Sequence, residues 1–101
     1  MAYFFLKLIP PRPDFMVTMT EQERAIMGAH QVYWRGFADK GWAVAYGPVM
    51  DPAGGYGAGF WALPDGEDPA ALACDPAIKA EAGFRYEILP MPALVLGKTG
   101  T

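Results

Sequence analysis

The stretch "MDPAGGYGAGFW", Met50 to Trp61, limits the possible folds of this chain more than any other, because its glycines lead into strand-forming residues and not into a helix. Gly54, Gly55, Gly57 and Gly59 fall within six residues, a density suited to a phosphate cradle or to a chain reversal. A dinucleotide fingerprint needs G-x-G-x-x-G where a strand passes into a helix, so that the pyrophosphate meets a helix N-terminus. Here the spacing is G-x-G-x-G, and "FWAL" continues it as a strand. The stretch therefore predicts a hairpin loop in which Asp51-Pro52 starts the turn and Gly54-Gly55 supply positive φ. Gly57 and Gly59, two apart, share one face of the outgoing strand. Their missing side chains leave a groove that a backbone, a partner or a ligand can approach.

The hairpin joins two strands, Trp42 to Val49 and Ala58 to Leu63. Upstream, Tyr3 to Ile9 is apolar on both alternating faces except at Lys7, which predicts a central strand covered on both sides. Pro10 to Pro13 then form a stiff extended linker. Next, "TMTEQERAIMGAHQVYWRGFADKG" carries helix signals at both ends. Thr20 with Glu23, or Thr18 with Glu21, makes a capping box, acids occupy the first turn, and Gly41 is a stop signal. At 100° per residue Met19, Ile26, His30, Tyr33 and Phe37 form one apolar stripe, and His30 lies inside it.

Two Asp-Pro steps in "PDGEDPAALACDPAIKAEAG" each place an N-cap before a proline at the first helical position. They predict a short helix from Pro69 to Cys74, a break at Asp75, and a second turn or two from Pro76 to about Ala82, ended by Gly83. Phe84 to Pro90 returns as a strand, resuming through Leu94 to Leu96, with its proline easiest to accommodate on a sheet edge. The order is βαββαβ. It predicts an α+β fold with one antiparallel sheet and both helices on one face, the ferredoxin-like plan, over residues 1–97, with 98–101 as a flexible tail.

With 101 residues the length fits one domain with a small core. The apolar fraction of 52 % exceeds what that core absorbs, and the bare sheet face points to a homodimer built through it. A net charge of -3 without a cluster of Lys or Arg argues against nucleic acid as a partner. No window approaches the length of a membrane span, and "MAYFFLKLI", interrupted by Lys7 and followed by prolines, reads as a strand rather than a secretory leader. A soluble, cytoplasmic protein is the expectation. Cys74, the one cysteine, allows neither an internal disulfide nor a thiolate cage and is expected to be buried and inert.

Candidate chemistry is sparse. There is no Ser, hence no serine nucleophile, and one His without a second ligand at helical spacing argues against a metal. His30 is the one side chain that ordinarily titrates near neutrality. A helix histidine bonded to a carbonyl is the bland explanation for it. A proton carrier satisfied by a carboxylate is the other, since an imidazole in an apolar stripe needs a partner. Asp75 and Asp51 are the carboxylates at chain breaks where a side chain can turn inward. N-capping by itself accounts for Asp75, and turn formation for Asp51. Tyr33 and Trp34, beside His30, are residues of a kind that is more often core or interface than ligand contact.

Taken in order, "YFFLKLIPPRP", "MTEQERAIMGAHQVYW", "YGPVMDPAGGYGAGFW" and "DPAIKAEAGFRYEILP" resemble the YCII-related (YciI-like) family of dimeric α+β barrels over nearly the whole chain. The resemblance implies a His-Asp pair at a pocket near a dimer interface, matching His30 and Asp75, with Gly47-Pro48 following the second strand. Tyr33 and Trp34 beside His30, together with Gly47 and Pro48, are the expected substrate contacts, and no cofactor is expected. The implied activity is lyase, dehydrohalogenase or isomerase chemistry on a small, cyclic or aromatic molecule. A non-catalytic dimer that binds a small ligand or serves as an interaction module is the alternative.

Overall fold

The computed structural model describes residues 1–97; the tail expected over 98–101 lies outside the described residues. Strand β1 is Ala2–Ile9, followed by a four-residue helix α1, Phe15–Thr18, and the long helix α2, Glu21–Asp39. Strands β2, Ala43–Val49, and β3, Tyr56–Leu63, form the hairpin. A 3₁₀ helix Pro69–Cys74, a helix α3 at Pro76–Lys79 and strand β4, Arg85–Met91, follow the hairpin. The sheet order is β2-β3-β1-β4 and every pairing is antiparallel, an open α+β arrangement compatible with the ferredoxin-like plan. Strand β1 is central, and the prolines of β2 and β4, Pro48 and Pro90, sit on the two edge strands, where a missing N–H interrupts no interior ladder.

Register decides which side chains meet. Phe4, Leu6 and Leu8 pair with Trp61, Gly59 and Gly57, so these positions share one face of the sheet. That face packs against Trp34 and Phe37 of α2, and farther along against Phe15, Ala77 and Phe84. The opposite face carries Phe5 paired with Phe60, their ring centroids 5.2 Å apart, and Leu89, half-exposed on β4.

Several local expectations change in detail. Of the two possible capping boxes, the chain uses Thr20 with Glu23: the Glu23 amide donates to Thr20 Oγ1 at 3.1 Å and the Thr20 amide to Glu23 Oε1 at 2.9 Å. The linker is followed by α1 rather than running straight into the long helix. Arg12 explains the extra turn, reaching Thr18 and gripping Glu23 through two bonds of 2.8 and 2.7 Å. The hydrogen bond from Arg12 first, then that from the Thr20 amide, hold the Glu23 carboxyl at about 2.

In the glycine stretch only Gly54, not Gly55, has positive φ, and its amide closes the turn on the Asp51 carbonyl at 2.9 Å. Strand β3 starts at Tyr56, two residues before the predicted start. The helix after Asp75 ends at Lys79, because Glu81 and Gly83 both take positive φ. Leu94 to Leu96 form no strand: the described residues after Pro92 pair with no neighbour. Cys74 is exposed rather than buried, because the tight 3₁₀ turn sends Leu72 inward and leaves Cys74 outside.

Candidate functional site

Helix α2 carries His30, and the chain break between the 3₁₀ helix and α3 carries Asp75. They lie 45 residues apart in sequence, yet His30 Nδ1 is 2.7 Å from Asp75 Oδ2. Local chemistry places the aspartate. Asp75 is the N-cap of α3, its Oδ1 accepting the Ala77 amide at 2.8 Å, and Pro76 starts the helix. That leaves Oδ2 free to face α2. The carboxylate is fully buried, the one charged side chain in the core among the described residues.

Three side chains converge on Oδ2. Besides His30, the Trp34 indole Nε1 donates at 3.2 Å and the Tyr86 hydroxyl donates through a short hydrogen bond. Trp34 Nε1 also reaches the Tyr86 oxygen at 2.7 Å. Burial by itself raises the Asp75 carboxyl, but the hydrogen bonds from His30, Tyr86 and the Ala77 amide outweigh it and hold the group below its ordinary range. Tyr86 is pushed the other way, by burial first and then by its bond to Asp75, so it stays a protonated donor. An ionised carboxylate only accepts, which assigns the proton between the pair to His30 Nδ1. In the neutral ring Nε2 then keeps a lone pair, and among the described residues nothing hydrogen-bonds it.

The ring of His30 borders a cavity of about 470 Å³, within the range of small-molecule sites. Met16, Met19 and Met27 form an adaptable apolar wall. Across from them lie Tyr46, Gly47 and Pro48 of β2 and Gly57 of β3. The glycines explain the space. A Cβ on Gly59 would lie 2.4 Å from the Trp34 ring, so the indole occupies that part of the groove, while Gly57 borders open volume.

Among the expected site residues, His30, Trp34, Gly47 and Pro48 line this cavity, Gly47 and Pro48 from paired positions within β2 rather than after it, and Asp75 stands directly behind His30. Tyr33 does not line it. Its ring packs against Phe37 and its hydroxyl donates to the Ala71 carbonyl, tying α2 to the 3₁₀ helix. Asp51, the other candidate partner, is exposed in the hairpin and caps the Ala53 amide at 2.9 Å. Tyr86 is the member that sequence reasoning missed. It is an alternating residue of β4 set opposite Leu8, and only the strand register turns it toward the histidine face.

Because the folded chain keeps Asp75 ionised at lower pH than the unfolded chain, its contribution to stability is complete well above about pH 4. It is lost as pH falls through the lower folded value. Thermal midpoints measured between neutral pH and pH 3 are expected to fall less steeply for Asp75→Asn than for the parent chain, and parallel curves would exclude a contribution from Asp75.

Fold and site together define an α+β protein with an open four-stranded antiparallel sheet and a buried carboxylate–imidazole pair beside an apolar cavity. Comparison with known proteins finds no matching family model, curated protein or solved structure. No helix among the described residues is long and apolar enough to cross a membrane, and no group of three or more His, Cys, Asp or Glu among them could hold a metal ion.

Proposed function

We propose that this chain is a cofactor-independent acid/base catalyst of the YCII-related type, with His30 as proton carrier and Asp75 as the group that orients it. The observation that carries this reading is the 2.7 Å contact between His30 Nδ1 and a fully buried carboxylate, with the imidazole on the wall of a cavity. His30 Nε2 takes a proton from an acidic C–H or O–H of a small, cyclic or aromatic substrate. The imidazolium that forms is stabilised by Asp75, whose hydrogen bonds from Trp34 and Tyr86 keep it a weak base, so the proton remains on histidine. The electron pair left on the substrate then expels a leaving group or is reprotonated at another atom by the same imidazolium. These two outcomes are the lyase or dehydrohalogenase and the isomerase versions of one site. Positioned proton transfer of this kind contributes about 10²- to 10⁴-fold.

A screen of activated, acidic small molecules is expected to find turnover in the parent chain that falls by about 10²-fold or more in His30→Gln. Turnover unchanged in His30→Gln would remove the acid/base reading. Ligand binding with no turnover at all would favour the non-catalytic dimer, for which the same apolar cavity serves as a binding site.

The reading includes a homodimer in which the Phe5–Phe60 face of one protomer covers that of another, as in the dimeric α+β barrel plan. The half-exposed Leu89 and the aromatic pair support it. Light scattering at micromolar concentration is expected to give twice the 11.0 kDa of one chain, and Phe5→Glu to return it to a single chain's mass. A parent chain that scatters as a monomer would exclude the dimer. A cytoplasmic setting accompanies the proposal.

A further inference from the structure

The cavity beside His30 has an uneven charge. Its wall includes Arg35 and His30, the polar side chains of Gln31 and Tyr46, and no Asp or Glu. The chain as a whole is acidic, at -3, so this distribution does not follow from composition. Arg35, like Arg24, pairs with no carboxylate among the described residues, and of the two only Arg35 lines the cavity. Asp75 is buried behind the imidazole with both oxygens hydrogen-bonded, so it presents no carboxylate oxygen to a ligand in the cavity.

We propose that the cavity takes a small organic acid, an apolar ring bearing a carboxylate, with Arg35 holding the carboxylate and the methionine-lined wall holding the ring. This names the ligand class of the site described above and rests on the acid/base reading only for what happens to the molecule once bound. A guanidinium presents a planar fork that matches a carboxylate in two parallel hydrogen bonds, which an ammonium cannot do. Residues 30 and 35 are separated by about 7.5 Å along the helix axis and about 140° around it, so they flank the cavity-lining face of α2 from its two edges. An acid anchored at Arg35 on one edge of this helix face thus reaches across Gln31 and Trp34 toward His30 on the other, with its charge away from the proton carrier. Thioether side chains adapt to ring shape without adding charge, so discrimination falls to the arginine.

Titration calorimetry with phenylacetate, phenylacetamide and 2-phenylethylammonium tests this, the three probes sharing a ring and differing in charge. Phenylacetate is expected to bind about tenfold more tightly than the amide, with the ammonium weakest, and the gap to narrow as salt is raised. In Arg35→Gln, an exposed helix position that folding tolerates, the acid and the amide should come within about twofold of each other while the amide's affinity is unchanged. His30→Gln should keep the preference for the acid. Equal affinities for acid and amide in the parent chain, no heat from any probe at millimolar concentration, or a preference that survives Arg35→Gln would each overturn the proposal. A preference that vanishes in His30→Gln instead would assign the anion to the imidazole and overturn it as well. Turnover lost in His30→Gln bears on the acid/base reading alone, so the two can fail separately.

Discussion

Asp75→Ala is expected to lower folding stability by about 3–5 kcal/mol, a large share of the roughly 5–15 kcal/mol that holds a domain together. The side chain is fully buried and accepts from four donors: the Ala77 amide, the His30 ring, the Trp34 indole and the Tyr86 hydroxyl. Removing it leaves the Ala77 amide, the His30 ring and the Tyr86 hydroxyl without that acceptor in a place water reaches poorly, while the Trp34 indole keeps the Tyr86 oxygen, and it uncaps α3. Asp75→Asn should be milder. The amide oxygen can still cap α3 or accept from one of the other donors, but its NH₂ faces donors where the carboxylate oxygen was. Urea unfolding with an unchanged slope checks the ordering parent, Asn, Ala. If both variants unfold within about 0.5 kcal/mol of the parent, the convergence of donors on Asp75 does not carry the stability assigned to it. The same substitutions are expected to abolish turnover, because His30 loses the partner that fixes its tautomer.

Gly59→Ala is expected to cost about 1–3 kcal/mol, while Gly57→Ala, two residues earlier on the same face of the same strand, should be neutral or stabilising by up to about 1 kcal/mol. The difference is one of space. At Gly59 the new Cβ would fall 2.4 Å from two ring atoms of Trp34, and that indole has nowhere to move. It is buried, packs edge-on against Trp61 and Tyr46 at 5.3 and 5.2 Å, and is hydrogen-bonded to Tyr86. At Gly57 the nearest atom is Leu8 Cβ at 3.6 Å, an ordinary contact. Because Trp34 also bonds Asp75, the Gly59 variant should disturb the His30 pair, and the Gly57 variant should only narrow the cavity. Equal unfolding midpoints for the two variants would exclude the close packing of Trp34 on β3.

Much of this was legible in the chain because it is local. Capping, the Asp-Pro steps, the strand that continues the glycines and the solitary histidine in an apolar stripe all act over a few residues. Tyr33 and Trp34 show where that legibility stops. Both are near the stripe of α2 by angle, and periodicity cannot tell which aromatic borders a cavity and which binds a carbonyl of the 3₁₀ helix. Cys74 failed for a related reason: a tight six-residue helix rotates its side chains differently from an α-helix, so Leu72 rather than Cys74 is inside. Arg12 binding Glu23 across the linker, and the helix α1 it supports, had no periodic signal at all.

The sequence by itself determined the βαββαβ order, the hairpin at the glycines, the solitary His30 and, in Asp75 and Asp51, the two carboxylates that could turn inward to meet it. Those come from backbone preferences and from which side chains carry a proton near neutrality, properties each residue brings regardless of its neighbours. Only the tertiary structure decided that His30 and Asp75 meet, that Tyr86 and Trp34 close around the carboxylate, that Gly59 is filled by an indole, and that Arg35 faces the cavity. Each of these is a contact between distant segments, set by strand register and by the way α2 lies on the sheet. A shift of one residue in β4 would turn Tyr86 to the other face and leave Asp75 without its hydroxyl donor.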